Sequence, residues 1–336
     1  MLRISRKAVC EMAGPGASFE RGLFAVIEEA SQSEYEEAFV DVAGARVNYL
    51  HAGNGKPMLL IHGLVGSSRN WRCNIDALAQ HASVYAIDLV NMGKSQRIEG
   101  LDPGLQATAD RIITFMDALD LAQTDIVAHS HGGAVALMLA ALHPRRVGRL
   151  VLFAPANPYC RSGDPIVRTY STLWGGFLAR LLTYSPASVQ RVALGEIFGG
   201  PDRVVDSCLQ EIVKGLRNSH TLRHVLCIVR GWFSERAKLK AALGRVKRVP
   251  TLLVWGDRDC TVSLDSAVKL KRKLRSSDLI VLPGGGHAVF EETPEPVNQL
   301  VLEWLGRHPL SAPPRAVSIA RRNRNTATIR RLSPGI

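Results

Sequence analysis

The chain has 336 residues, 46% hydrophobic and 21% charged, with a formal net charge of +12. That length fits one large α/β domain or two ordinary ones, with enough apolar residues to bury a sizeable core. The six cysteines (Cys10, Cys73, Cys160, Cys208, Cys227, Cys260) show no CxxC or zinc-finger spacing. This speaks against a disulfide framework or metal cluster and suits a reducing compartment.

The opening stretch, MLRISRKAVCEMAGPG, is basic and lacks the apolar core of a signal peptide. The longest apolar stretch lies inside 132–142, too short to span a bilayer. The expectation is a soluble, cytoplasmic protein. Residues 1–37 read as an N-terminal extension, partly helical around 20–37. Candidate strands follow at 38–43 and 45–50, a hairpin around Gly44. Further strands are expected at 57–61, 83–88, 124–129, 149–154, 250–255 and 278–282. Helical segments are expected at 69–80, 105–120, 131–143, 263–275 and 294–306. The runs MLLIH, RLVLF and TLLVW are continuously apolar, as strands of a parallel sheet covered on both faces are. Strands alternating with helices imply an α/β layered domain.

The alternation breaks near Asn157 and resumes at Val249. The core is therefore expected over 38–156 and 249–306, with 157–248 inserted as a helical lid rather than an independent domain. Residues 307–336 hold seven arginines and no acid, seven of the twelve net positive charges. This stretch has prolines, few large apolar residues and no period, and it reads as a disordered, solvated tail. A weak contact with an anionic membrane surface is the partner it suggests. No nucleic-acid-binding motif accompanies it, so no specific nucleic acid is expected.

The window DIVAHSHGGAVALMLAALHP (125–144) places Ser130 between a short apolar run and a small-residue helix. The nucleophile elbow of serine hydrolases reads G-x-S-x-G, and here Ala128 holds the first position. Residues two either side of such a turn approach closely and must be small, which Ala128 and Gly132 satisfy, with Gly133 as further room. The competing reading is a serine that only caps the helix. Three other segments favour the elbow. In PMLLIHGLVGSSRNW (57–71) a strand ends at His62-Gly63, so the backbone N–H of Leu64 can aim at an oxyanion with that of His131 as second donor. TLLVWGDRD places Asp257 and Asp259 just beyond a strand, and PGGGH places His287 in a glycine-rich loop after another. Ser130, an aspartate and His287 follow the chain order Ser…Asp…His. All three follow carboxyl ends of expected parallel strands, where open α/β sheets place ligands.

On the motifs HGLVGSS (62–68), DLVNMGKS (88–95), AHSHGG (128–133), WGDRD (255–259) and GGGHAVFEETPEPV (284–297), the chain resembles the α/β-hydrolase superfamily, in particular its lidded esterases and related serine hydrolases. The resemblance covers 38–306, with the lid only generically similar. It implies an eight-stranded, mostly parallel sheet flanked by helices, with a helical lid insertion. Ala128 and Asn91 depart from glycines of the pattern, and asparagine tolerates left-handed φ better than most residues. The family spacing G-x-x-D implies Asp259 as the acid of the triad and leaves Asp257 to brace the loop or pair with Arg258. It also implies buried framework roles for His62 and His129, and a loop-stabilising one for Asp88.

The resemblance implies a cofactor-independent and metal-independent serine hydrolase. Ser130 would be the nucleophile, His287 the general base and then acid, and Asp259 the orienting carboxylate. Cleavage of a carboxylic ester of a hydrophobic small molecule through an acyl-enzyme is the leading expectation. Carbon–carbon bond hydrolysis of a diketone-like substrate and acyl transfer are alternatives on the same triad. A non-catalytic ligand-binding protein is the alternative of another class. Among the lid aromatics, Trp174, Phe177 and Trp232 are the substrate-binding candidates; the competing role for each ring is packing the lid onto the core. The GGGH run lacks the Walker lysine and the dinucleotide spacing, so it gives no nucleotide site.

Overall fold

The computed structural model describes residues 35–195, 206–246 and 248–309. Eight strands form one sheet: β1 (Glu36–Val42), β2 (Ala45–Ala52), β3 (Pro57–Ile61), β4 (Ser83–Ile87), β5 (Thr124–His129), β6 (Val147–Phe153), β7 (Thr251–Gly256) and β8 (Ser277–Leu282). Their order is β1-β2-β4-β3-β5-β6-β7-β8. β2 runs antiparallel to β1 and β4, and the remaining pairs are parallel. The hairpin joining β1 to β2 turns on Ala43 (φ 53°) and Gly44 (φ 81°), both left-handed, the requirement of a two-residue type I′ connection. Asp41 Oδ1 accepts the Gly44 N–H at 3.0 Å and closes it.

Among the described residues three α-helices precede β6: α1 (Ile75–Ala79), α2 (Leu105–Ala118) and α3 (Ser130–Leu142). Five lie between β6 and β7 among the described residues: α4 (Asp164–Tyr170), α5 (Leu173–Leu182), α6 (Ala187–Gly195), α7 (Asp206–Arg217) and α8 (Ser219–Ala242). Then come α9 (Leu264–Lys273), α10 (Val289–Glu292) and α11 (Pro294–Arg307). Both faces of the sheet are covered. Ile112, Phe115, Leu137, Leu270 and Trp255 belong to one core layer. Trp71, Ile75, Phe290, Val301 and Trp304 belong to the other. Residues 131–141 of α3 are all buried, so this helix is apolar all round rather than amphipathic.

Three expectations shift. The helix expected over 69–80 divides into a short 3-10 turn (Ser68–Trp71) and α1. Local side chains compete with the helix there: Ser67 and Asn70 exchange capping hydrogen bonds, and Asn74 Nδ2 donates to Phe290 O and Asn298 Oδ1. The helix expected over 20–37 gives way to β1 from Glu36, because Glu36 and Glu37 pair with His51 and Leu50, and Glu37 Oε1 accepts from Asn48 Nδ2. The rest of that segment lies outside the described residues. Arg307 belongs to α11 rather than to a tail, and the sequence from 310 also lies outside them.

A buried ion pair ties the amino-terminal edge of the sheet to the last helix. Arg149 on β6 grips Asp125 of β5 with Nε (3.1 Å) and Nη2. Its Nη1 donates to the carbonyls of Leu305 (2.7 Å) and His308 (2.8 Å), which end α11. No helix among the described residues is long and apolar enough to cross a membrane.

Candidate active site

Ser130 sits where β5 turns into α3, with φ +49°, the strained left-handed conformation expected of a side chain pushed out of a sharp turn. Only one flank of the turn requires glycine. A Cβ on Gly132 would lie 2.3 Å from His62 O and 2.7 Å from Ile61 O, backbone atoms of the β3 end. A Cβ on Gly133 would lie 2.5 Å from Pro155 Cβ. Ala128, by contrast, is an ordinary fully buried strand residue, paired with Ile61 and Leu152, and its methyl group fills core.

The side chains from three strand ends meet here. His287 Nε2 is 2.9 Å from Ser130 Oγ, and His287 Nδ1 is 2.8 Å from Asp259 Oδ2. Asp259 Oδ1 accepts the N–H groups of Thr261 and Val262, each at 2.8 Å. An ionised Asp259 so held selects the tautomer in which Nδ1–H donates to it and Nε2 accepts the Ser130 hydroxyl proton. Asp257 is exposed, and its Oδ1 accepts the Gly284 N–H at 2.6 Å, bracing the loop that carries His287.

Two framework histidines support this arrangement. His129 Nε2–H donates to the His287 carbonyl at 3.1 Å, and its ring packs 4.6 Å from the His287 ring, centroid to centroid. Burial pushes His129 well below the usual histidine range, and the neighbouring His287 adds to this, so it is neutral. His62 Nδ1–H donates to Gly63 O at 2.7 Å, and its Nε2 accepts the Leu89 N–H at 3.1 Å. Burial lowers its pKa too, against the pull of Asp88. Asp88 accepts the Ser68 and Lys94 N–H groups at 2.6 and 2.7 Å, tying together the loops that follow β3 and β4. Asn91 takes the left-handed conformation (φ 71°), and its amide pairs on both sides with the backbone of Ile98.

Ser130 opens into a mainly apolar pocket of about 200 Å³, whose wall includes Leu64, His131, Cys160, Val167, Ile228 and Trp232. A Cβ on Gly63 would lie 3.3 Å from Ser130 Cβ, so the loop carrying Leu64 runs directly beside the serine. Of the three aromatic candidates, Trp232 lines the pocket. Trp174 and Phe177 do not: they are 78% and 59% exposed on the outer face of α5. Packing reverses that expectation, because the glycines of α5 face inward. A Cβ on Gly175 would be 2.1 Å from Thr169 O, and one on Gly176 3.3 Å from Leu226 Cδ1.

Sequence reasoning missed most of the wall, since Cys160, Val167 and Ile228 carry no motif; only the i, i+4 spacing of Ile228 and Trp232 hints at a shared face. It also missed His224, on α8. Burial lowers His131 and His224 each to about 4; His224 and His62 push His131 further, and Arg111 pushes His224. A larger cavity, about 340 Å³, lies beyond Val65, between Lys94, Arg97 and the α7 residues Glu211 and Lys214. Its wall mixes charged and polar side chains with Val65, Met92 and Ile212, and Ser130 is not part of it. Among the described residues no group of three or more His, Cys, Asp or Glu side chains is placed to hold a metal ion.

Placement defines the class. A serine on a left-handed strand-to-helix turn, with its histidine and aspartate on loops after later strands of one mostly parallel sheet, is the layout of an alpha/beta hydrolase. The chain belongs to the alpha/beta hydrolase fold family, whose model matches residues 56–294. It is 30% identical over 274 residues to the dihydrolipoyllysine-residue acetyltransferase component of the acetoin cleaving system of Pseudomonas putida, covering 80% of this chain and 69% of that protein. It is 30% identical over 254 residues to the 2-hydroxymuconate semialdehyde hydrolase of Pseudomonas sp. (strain CF600), covering 73% and 85%. Among solved structures, a meta-cleavage product hydrolase from Pseudomonas fluorescens IP01 superposes with a TM-score of 0.67 at 25% identity, covering 80% of this chain and 97% of that one.

Proposed function

We propose that the protein is a hydrolase in which Ser130 cleaves a carbon–carbon bond beside a ketone, in a substrate whose second carbonyl, in conjugation, takes up the electrons of the leaving fragment. The observation that carries this reading is the hydrogen-bonded row Ser130–His287–Asp259, set in a chain similar over most of its length to a 2-hydroxymuconate semialdehyde hydrolase and a meta-cleavage product hydrolase. Similarity to those hydrolases supports the bond type, and displaces the ester as the leading substrate.

In this reading Ser130 Oγ adds to the ketone while His287 Nε2 takes its proton. Asp259 stabilises the resulting imidazolium. The Leu64 and His131 N–H groups receive the developing oxyanion. The dienol reacts as its keto tautomer, with the 2-hydroxyl proton moved to the carbon beside the attacked carbonyl. The tetrahedral adduct then collapses, the carbon–carbon bond breaks, and its electron pair passes through the double bond into the 2-keto group as an enolate. His287 Nε2–H protonates that fragment. Water, deprotonated by His287, then hydrolyses the acyl-serine and regenerates the hydroxyl.

A second reading, ester hydrolysis, has its own support. No lysine or arginine is among the described residues that line the Ser130 pocket, which suits an uncharged acyl group better than an anionic one. The two are separated by measuring kcat/KM on 2-hydroxymuconate semialdehyde and its 6-alkyl and 6-aryl analogues, followed by loss of the dienol chromophore, and on a series of 4-nitrophenyl esters. A preference of at least a hundredfold for the dienoates is expected. The reverse preference overturns the carbon–carbon reading and leaves the ester. Absence of both activities, with no fluorophosphonate labelling of Ser130, overturns the enzyme reading altogether.

A further inference from the structure

Among the described residues, the large apolar side chains that stand most exposed fall within one stretch of chain, 174–192. They are Trp174, Phe177, Leu178 and Leu181 on α5, Tyr184 just beyond it, and Val189 and Val192 on α6. Positions 174, 177, 178 and 181 follow i, i+3, i+4, i+7, a single helical face. In a soluble domain that face ordinarily packs inward; here Gly175 and Gly176 make the inward contacts with α4 and α8, and the bulky face points to solvent. An exposed apolar helix face of this kind marks an interaction surface.

Its charge says what it meets. Between residues 165 and 195 there are three arginines, Arg168, Arg180 and Arg191, and no carboxylate. Arg217 adds a fourth guanidinium, 5.6 Å from the Tyr184 ring centroid. A second copy of the same face would bring arginines against arginines. An aromatic and aliphatic face flanked by arginines is complementary to an anionic lipid surface, into which such helices sink about 5–10 Å. α5 packs on α4, whose Val167 and Tyr170 belong to the pocket wall, so the same helices join this face to the Ser130 pocket.

We propose that the outer face of α5 and α6 docks the protein on anionic lipid bilayers. This rests on the exposed face alone and is independent of which bond Ser130 cleaves. The test uses the full chain with vesicles of phosphatidylcholine containing 30 mol % phosphatidylglycerol (about one lipid in three, enough to set a negative surface potential) and with phosphatidylcholine alone. The wild type is expected to co-sediment with the anionic vesicles at low salt, at least tenfold more strongly than with neutral ones, and less as salt rises. Tryptophan emission should shift to the blue on binding.

Trp174→Phe should retain sedimentation and lose most of the blue shift. The triple variant Phe177→Ser, Leu178→Ser, Leu181→Ser should lose at least tenfold in partitioning while its Tm stays at the wild-type value. Deletion of 310–336 should leave most of the binding intact. The inference is overturned if the wild type ignores anionic vesicles at low salt, or if the triple variant binds as the wild type does. It is also overturned if binding vanishes with the tail, if it appears only after removal of 1–34, or if sedimentation velocity shows a dimer that the triple variant dissolves.

Discussion

Replacing Asp259 by asparagine tests the geometry of the site more sharply than removing the nucleophile. Asp259 Oδ1 holds two backbone N–H groups, from Thr261 and Val262, and Oδ2 holds His287 Nδ1–H. An asparagine has one carbonyl oxygen, and the two N–H donors claim it. Its NH2 group then faces His287 Nδ1, which must become an acceptor, so the proton moves to Nε2. Nε2–H now points at Ser130 Oγ, 2.9 Å away, and the ring has no lone pair with which to take the serine proton. The loss expected for a wrong tautomer in such a triad is about 10⁴-fold in kcat, on the order of 5 kcal/mol of transition-state stabilisation. The two backbone bonds survive, so the fold should hold. Asp257→Asn is the paired control: its oxygen can still accept the Gly284 N–H, and kcat should change by less than about threefold, a surface-type effect. Single-turnover kinetics on the best substrate, with thermal melts of each variant, make the comparison. A folded Asp259→Asn variant turning over within tenfold of wild type would refute the argument, as would a larger loss from Asp257→Asn.

Ser130→Ala should abolish fluorophosphonate labelling and lower turnover by at least about 10⁴-fold while leaving the melt unchanged, since a methyl group fits the turn; retained turnover removes Ser130 from the chemistry. Gly132→Ala should destabilise the protein by about 3 kcal/mol, lowering Tm on the order of 10 °C, because the new Cβ meets the carbonyl oxygens of His62 and Ile61. Ala128→Gly should not improve activity, and an increase would mean the alanine strains the turn. His131 and His224 are lowered to about 4 in the folded protein against about 6.5 unfolded, so the unfolded chain binds more protons between those values. Their contribution is therefore fully present above pH 6.5 and is lost as pH falls, with a slope of at most about 1.4 kcal/mol per pH unit for each histidine. Urea melts from pH 7.5 to 5 should show this, and His224→Asn should flatten part of the slope; stability that holds level over that range contradicts it.

The sheet was legible because its central strands are continuous apolar runs, which a parallel sheet buried on both faces demands. Ser130 and His287 were legible because a strained turn and a glycine-rich loop leave small residues around them. Asp259 was not separable from Asp257 by residue type, and only the spacing of a known pattern distinguished them. Structure gives the physical difference: one carboxylate is buried against two N–H groups and a histidine, the other exposed on a loop. Ala128 looked like a departure at the elbow, yet the close backbone approach falls on Gly132. The pocket was least legible. Its wall is assembled from residues of separate helices and loops with no local signature, and aromatic content alone misassigned Trp174 and Phe177, which a helix can turn outward as readily as inward.

The grip of Arg149 on the carbonyls of Leu305 and His308 has a practical consequence for anyone who handles this protein. It pins the end of α11 at the amino-terminal edge of the sheet, while Ser130 stands at the carboxyl edge, five residues or roughly 16 Å further along β5 from Asp125. A fluorescent reporter, affinity handle or resin linker joined directly after Pro309 therefore starts on the side away from the reaction chamber. Immobilised through that point, the enzyme would present its entrance to the flowing solution rather than to the bead.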